Sequence, residues 1–416
     1  AKAGALGKIV SAVMKADPRI NIHILPEVEK FFDTVPLTPS LEDVSFADIF
    51  DRDEYTVDIG SMKARLSGKT VLITGAGGSI GSDLCRQLLK FDAGRIVALG
   101  RGEHSIYMLS KTMNEYIDLM EHRPEMVYKI SDVKDEAILE KVFADYRPDI
   151  VFHAAAHKHV PLMEFNEAEA LKNNVGGTRN VLEMACRYGV EQCVIVSTDK
   201  AVRPVNIMGA SKRLSELVAG YYHTAKGCPV SIVRFGNVIG SRGSVIPLFT
   251  EQIRRGGPVT VTHPEVTRYF MSIQEAALLV LNSAAYARGG EIFVLDMGKQ
   301  YRLIDIARRL IELYRPFSEK EIGIAITGLR PGEKLYEELF YDTENLLKTD
   351  NEKIFMLRED TAALGEHEYA SLLDAVASGI ERFSPLEIRD FIKMYVPEYE
   401  YDEIVGDDNG MGRLVQ

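Results

Sequence analysis

The run Thr70-Val71-Leu72-Ile73-Thr74, followed without a gap by Gly75-Ala76-Gly77-Gly78-Ser79-Ile80-Gly81, constrains this chain more than any other feature. Aliphatic and β-branched residues in an unbroken row read as a buried strand, and Asp83 to Lys90 read as a helix. The glycines between them form a turn that no side chain obstructs. At such a junction, backbone N–H groups and the positive end of the helix face the same point. Gly75, Gly78 and Gly81, with Ser79 and Ile80 between the last two, therefore suit the pyrophosphate of a dinucleotide. The remaining reading is a tight turn that only packs helix on strand.

Further short apolar runs follow at Arg95–Leu99, Asp149–His153, Gln192–Ser197 and Val230–Phe235, separated by helix-compatible stretches. That alternation predicts βαβ crossovers and a doubly wound parallel sheet, an α/β fold of the Rossmann type. We divide the 416 residues into an N-terminal accessory segment (1–66), a dinucleotide-binding core (67–240) and a smaller substrate-binding part interleaved with the core (241–416). Helical patterns are expected at Ile9–Met14 and, as a tail, near Tyr369–Phe383.

Composition excludes several classes. The 49 basic and 61 acidic residues leave a net charge of −12 with no basic stripe, which argues against a nucleic-acid partner or an anionic membrane surface. Cys85, Cys186, Cys193 and Cys228 lie far apart, so neither a disulfide framework nor a zinc site is expected. No apolar run approaches the roughly 18 residues of a membrane span. A cytoplasmic location is expected.

The second strand ends at Gly100-Arg101, where NAD-binding folds usually offer a carboxylate to the adenosine ribose. Arg101 could neutralise a 2′-phosphate, which favours NADP, while Glu103 keeps NAD open. Asp132, with Val133 beside it, either accepts from the adenine amino group or caps a helix from Lys134 onward.

Longer motifs then carry a resemblance. Ala154-Ala155-Ala156 after the fourth strand, Asn174, Ser197-Thr198-Asp199-Lys200-Ala201-Val202, Asn206-Ile207-Met208-Gly209-Ala210-Ser211-Lys212, Arg234-Phe235-Gly236-Asn237-Val238 and Arg330-Pro331-Gly332-Glu333-Lys334 stand in order along the chain. Together they resemble the extended short-chain dehydrogenase/reductase family, and within it the bacterial UDP-N-acetylglucosamine 4,6-dehydratases of the large polysaccharide-biosynthesis type. Relatives of that type supply 6-deoxy-acetamido sugars for capsules, O-antigens or glycans.

One departure is chemical. The wider family carries Tyr-x-x-x-Lys, and here Met208 stands where the phenol would be, four residues before Lys212. A thioether is neither acid nor base. Methionine at this position resembles the configuration-retaining subgroup, which points to a working enzyme.

The resemblance implies three steps: hydride leaves sugar C4 for NAD(P)+, water is lost across C5 and C6, and hydride returns to C6. It assigns Asp199 to protonate the departing C6 hydroxyl, Lys200 to take the C5 proton and Thr198 to position the C4 oxygen. Asp199 must then be protonated and Lys200 neutral, with Lys212 expected to depress Lys200. Gly75, Gly78, Ser79, Ile80, Gly81, Arg101, Asp132, Val133, Ala154, Ala155, Ala156, Asn174 and Lys212 are the expected cofactor contacts. Lys158 is assigned to the sugar, Asn237 and Arg330 to the diphosphate, Glu333 to the uridine ribose, and Val245, Ile246 and Pro247 to the uracil. Arg254 and Arg268 are further candidates, weighed against solvated helix faces. His153, His157 and His159 invite a metal reading, but none is expected for want of a fourth ligand and a common face. His157 also replaces a tyrosine that relatives carry.

A homo-oligomer is expected of the family, and some relatives carry an N-terminal membrane region that would lie upstream of Ala1. Two competing readings stand beside the dehydratase: another nucleotide-sugar oxidoreductase such as a C4 epimerase, and a non-catalytic dinucleotide sensor.

Overall fold

A computed structural model describes residues 59–118, 120, 123–314, 321–341, 346–357 and 364–401. The helix expected at Ile9–Met14 lies outside them.

After helix α1 (Ile59–Leu66), the first half alternates strand and helix: β1 (Thr70–Thr74), α2 (Ser79–Leu88), β2 (Arg95–Gly100), α3 (Glu103–Ile117), β3 (Glu125–Ile130), α4 (Glu136–Tyr146) and β4 (Ile150–His153). Two short helical turns and a π-helical turn (Leu171–Gly176) then lead into α5 (Gly177–Arg187), β5 (Gln192–Val196), α6 (Ile207–Lys226) and β6 (Val230–Arg234). Alternate residues of β1 feed opposite layers, as the two-residue strand period requires. Leu72 enters the core shared with α4, α5 and α6, while Val71 and Ile73 enter the core shared with α2. The longest of these helices, α6, starts where the Asn206 side chain accepts from Gly209 N and stops at Gly227, in the left-handed conformation that glycine adopts freely.

The later chain goes to three places. The first is a small third core, built by α7 (Val245–Arg254), β8 (Val259–Val261), β9 (Thr267–Met271) and the later α9 (Leu303–Tyr314), with β7 (Asn237–Val238) paired to β9 at its edge. The second is the main sheet: α8 (Ile273–Tyr286) packs on α2, and β10 (Ile292–Leu295) pairs in parallel with β6. After β11 (Gln300–Arg302), α9 (Leu303–Tyr314) and β12 (Ile324–Ile326), strands β13 (Leu346–Lys348) and β14 (Ile354–Leu357) close that sheet antiparallel. The third is the far face of α6, covered by α10 (Glu366–Ser378) and α11 (Pro385–Tyr395). The expected tail is thus two helices broken by a turn at Ile380–Arg382, with Tyr369 stacked on Tyr221 at 3.8 Å between ring centres.

The main sheet has nine strands in the order β13-β14-β10-β6-β5-β4-β1-β2-β3, parallel from β10 through β3. Its winding direction reverses at β1, between β2 and β4, and such a switch point opens a crevice at the carboxyl ends of the strands.

Candidate active site

The glycine turn fills that crevice. Gly75 sits at φ +69°, and a Cβ there would lie 2.6 Å from Ala155 N. A Cβ on Gly81 would collide with the Gly75 carbonyl, so this glycine serves the close packing of α2 on β1. The result is a cleft of about 310 Å³ lined by Gly75, Gly77, Gly78, Arg101, Asp132, Val133 and Ala154 to Ala156. These bare backbone walls fit a dinucleotide, which needs N–H donors and no side chain over its phosphates.

Several expected contacts stand elsewhere. Ile80 packs against the hydrophobic core, and Ser79 Oγ accepts from Arg242 N at 3.2 Å. Asn174 is buried as a brace: it accepts from His157 N at 2.8 Å and donates to Ser211 Oγ at 2.9 Å, tying the loop after β4 to α6. Its neighbour Asn173 lines the cleft instead. Asp132 does not cap a helix. Its carboxylate accepts from Lys134 N at 2.9 Å in a tight turn, and Asp135 caps α4. Arg101 faces Asp132 at 3.9 Å and Glu169 at 3.8 Å. Lys212 is almost fully buried, and desolvation pushes its ammonium down to about 8.

The loop after β4 separates the three histidines. His153 is buried between Thr74 Oγ1 (2.7 Å) and Thr178 Oγ1 (3.0 Å), and desolvation pushes it down to about 3. His157 pairs with Glu169 at 3.0 Å, and the His159 ring lies against Gly243. Lys158 stands exposed in the same loop, with partial desolvation lowering its ammonium.

At the end of β5, Thr198 caps the turn Asp199–Ala201 by accepting from Lys200 N, and its hydroxyl donates to Asp199 Oδ1 at 2.8 Å. Lys200 Nζ donates to Asp199 Oδ1 at 3.0 Å and to Asn237 Oδ1 at 3.1 Å, and lies 3.5 Å from Glu337 Oε1. Asp199 is 1% exposed, and its second oxygen, Oδ2, has no hydrogen-bond partner. Gly236 faces that buried oxygen, and a Cβ there would come within 3.0 Å of it and 3.2 Å of Tyr269, so only glycine packs here without crowding the carboxyl.

Here the structure corrects the expectation of a depressed Lys200. Burial acts to lower it, but Asp199 and, where it is ionised, Glu337 outweigh burial and raise it, and the cation opposing them is Arg268, not Lys212. Met208, the second residue of α6, is buried in the core that this helix shares with α4 and α5.

The substrate-side candidates divide. Arg268 lies on β9, not on a helix face. It is 5% exposed and donates to Glu333 Oε1 at 3.2 Å. Glu333 also accepts from Thr262 Oγ1 and from Arg330 N, so it organises the loop that holds it. Arg254 is exposed at the end of α7, its guanidinium 6.0 Å from the Tyr314 ring centre, outside this cluster. Val245 opens α7 and Pro247 is exposed, but Ile246 turns into the third core because adjacent helical residues point about 100° apart. Glu337 and Arg242 were missed. Neither stands in a glycine-spaced or strand-end motif, and both reach the site from distant segments, Arg242 by donating to Gly77 O at 3.0 Å.

Comparison with known proteins bears on the family and the fold. A family described as "Polysaccharide biosynthesis protein" matches residues 71–359. Capsular polysaccharide biosynthesis protein CapD of Staphylococcus aureus is 47% identical over 82% of the chain, and the alignment covers 56% of that protein. The chain thus spans about half the length of this relative. The UDP-N-acetylglucosamine 4,6-dehydratase (inverting) of Campylobacter jejuni is 33% identical over 70% of the chain and 83% of its own length. Among solved structures, Pen from Bacillus thuringiensis superimposes with a TM-score of 0.65 at 31% identity, over 72% of this chain and 92% of Pen. With the switch-point cleft, the glycine cradle and the strand order in place, the chain belongs to the polysaccharide biosynthesis protein family and has the extended short-chain dehydrogenase/reductase fold.

Proposed function

We propose that the chain is a nucleotide-sugar 4,6-dehydratase that acts on UDP-N-acetylglucosamine and retains the C5 configuration. The observation that carries the reading is the buried Asp199–Lys200 pair, joined at 3.0 Å, with Asp199 Oδ2 unpartnered beside Gly236. An epimerase moves hydride at one carbon and has no use for a second acid and base. The resemblance of the Campylobacter dehydratase supports the substrate class.

A nicotinamide dinucleotide fits the cleft, and when bound it supplies a reversible oxidant for the sugar's C4 carbinol. Gly75, Gly77, Gly78 and the Ala154–Ala156 backbone hold its phosphates and face, and Lys212 sets its nicotinamide ribose. The preference for the 2′-phosphorylated form rests on Arg101, and a 2′-phosphate there competes with Asp132 and Glu169 for the guanidinium.

Once C4 is a ketone, the C5 proton is acidic. One proton crossing the Lys200 Nζ–Asp199 Oδ1 hydrogen bond turns the ion pair into a neutral couple. Lys200 then accepts the C5 proton, and Asp199 protonates the C6 oxygen as the C6–O bond breaks, so the products are an enone and water. Thr198 holds Asp199 in register through its 2.8 Å hydrogen bond. Arg268, Glu333 and Arg330 form the wall that receives the nucleotide.

Incubation with UDP-N-acetylglucosamine in D2O, followed by mass spectrometry and NMR, tests this. The expected product has lost one water and gained one solvent deuterium at C5, with no net reduced cofactor. Recovery of the sugar unchanged, or of its C4 epimer, rejects the reading.

A further inference from the structure

Around Lys200 the charges do not balance. Three carboxyl groups, Asp199 (1% exposed), Glu337 (4%) and Glu333 (17%), share two cations, Lys200 (17%) and Arg268 (7%). Hydrogen bonds settle which pairs are committed. Lys200 donates to Asp199 at 3.0 Å, and Arg268 donates to Glu333 at 3.2 Å. Glu337 is the remainder: its Oε1 stands 3.5 Å from Lys200 and 3.7 Å from Arg268, and its buried Oε2 has no partner. Lys334, the other cation that faces it, is engaged by Val202 O at 3.1 Å and by Glu338 at 3.6 Å. A buried carboxylate that shares two already committed cations and leaves Oε2 without a hydrogen bond is costly, and the usual resolution is that the group keeps its proton.

That choice matters to the couple beside it. An anionic Glu337 would hold Lys200 as an ammonium and oppose the neutral form that elimination requires. We propose that Glu337 is a positioning residue of the elimination step: its carboxyl is held protonated beside Lys200, so that the Lys200 proton can move onto Asp199. In that move an N–H bond of Lys200 breaks and an O–H bond of Asp199 forms, and no outside donor is needed. Burial acts on Glu337 in the same direction, raising it, and the neighbouring Asp199 adds to that while Lys200, Arg268 and Lys334 oppose it. This inference rests on the dehydratase reading for its kinetics, but the protonation state itself does not.

The test uses Glu337→Gln, which keeps the shape and removes the titration. With Glu337 protonated in the working form, the readout is the shape of the pH profile of kcat, and replacing the carboxyl beside Lys200 lowers kcat at neutral pH by no more than about tenfold. The activity lost at alkaline pH as Glu337 ionises is absent from the variant, and the limb set by Lys212 near 8 remains in both proteins. Difference infrared spectra between neutral and alkaline pH, taken without substrate, show a protonated-carboxyl band in wild type that Glu337→Gln lacks. A fall in kcat of about a hundredfold or more in a folded variant, the mark of a required anion, overturns the proposal. Identical infrared difference spectra for the two proteins also overturn it. A wild-type protein that releases no water rejects the dehydratase reading instead, and the infrared comparison still decides the state of Glu337.

Discussion

Two regions of this molecule place a pair of buried carboxyl groups around one basic side chain, and they solve the problem differently. Near the C-terminus, Arg389 donates to Glu164 Oε2 (2.9 Å), Glu164 O (3.1 Å), Glu167 Oε1 (3.0 Å) and Tyr399 Oη (3.3 Å). Glu164 Oε1 accepts in turn from Ile207 N at 2.6 Å, the first residue of α6. Neither carboxylate leaves a buried oxygen without a partner. In the Asp199–Lys200–Glu337 cluster, one oxygen of each carboxyl group is orphaned. A planar guanidinium has five donors in a rigid fork and keeps its proton, whereas a lysine is a point charge that can give its proton up. The first cluster anchors α11 to the start of α6, and the second leaves two buried carboxyl oxygens without a donor.

The contrast breaks most sharply if the two solutions are exchanged. Lys200→Arg keeps the charge and fills the second cluster with a fork that cannot deprotonate. Dehydration should fall by about 10²- to 10⁴-fold while the chain stays folded, as read by product formation and thermal unfolding. Survival of turnover would mean that Lys200 is not the base.

Emptying the first cluster should act on stability. Arg389→Ala strands two buried carboxylates and should cost about 3–5 kcal/mol in urea unfolding, and Arg389→Lys should cost less because one donor group remains. A cost near zero would show that solvent reaches Glu164 and Glu167 and that the anchor is weak. The smallest effect is expected at Arg254, which belongs to neither cluster. Arg254→Ala should leave the KM for the nucleotide sugar within about twofold, as surface charges usually do, and a large rise would place it back at the diphosphate.

Much of this is legible in the sequence alone. β1, the glycine turn and α2 are a contiguous signal, and their geometry follows from local sterics: Gly75 must take φ +69° where Ala155 presses close. The strands at Arg95, Gln192 and Val230 announced themselves by β-branched runs, and the observed ends differ by a residue at most. Thr198, Asp199 and Lys200 are adjacent in sequence, so their pairing was readable. Asn174 braces a loop and does not line the cleft, and Asp132 lines it without capping a helix, because a side chain's partner is a matter of three-dimensional supply. The loop after β4 claims Asn174, and a local turn claims Asp132. The solvated helix face weighed for Arg268 is instead a buried strand position, because a single arginine among alternating residues does not declare which face of a strand it occupies.

What the sequence determined by itself, then, is whatever is encoded within about twenty consecutive residues: the strand-turn-helix that opens the cleft, the Thr198-Asp199-Lys200 run at the end of β5, and the missing phenol at Met208. Only the tertiary structure decided what protonation those groups can hold. Glu337 approaches Lys200 from 137 positions further along the chain, and Arg268 is set between Glu333 and Glu337 by the pairing of β9 with β11. Burial and the sum of nearby charges govern a proton's free energy, and both are properties of the packed neighbourhood, which residue order alone does not specify.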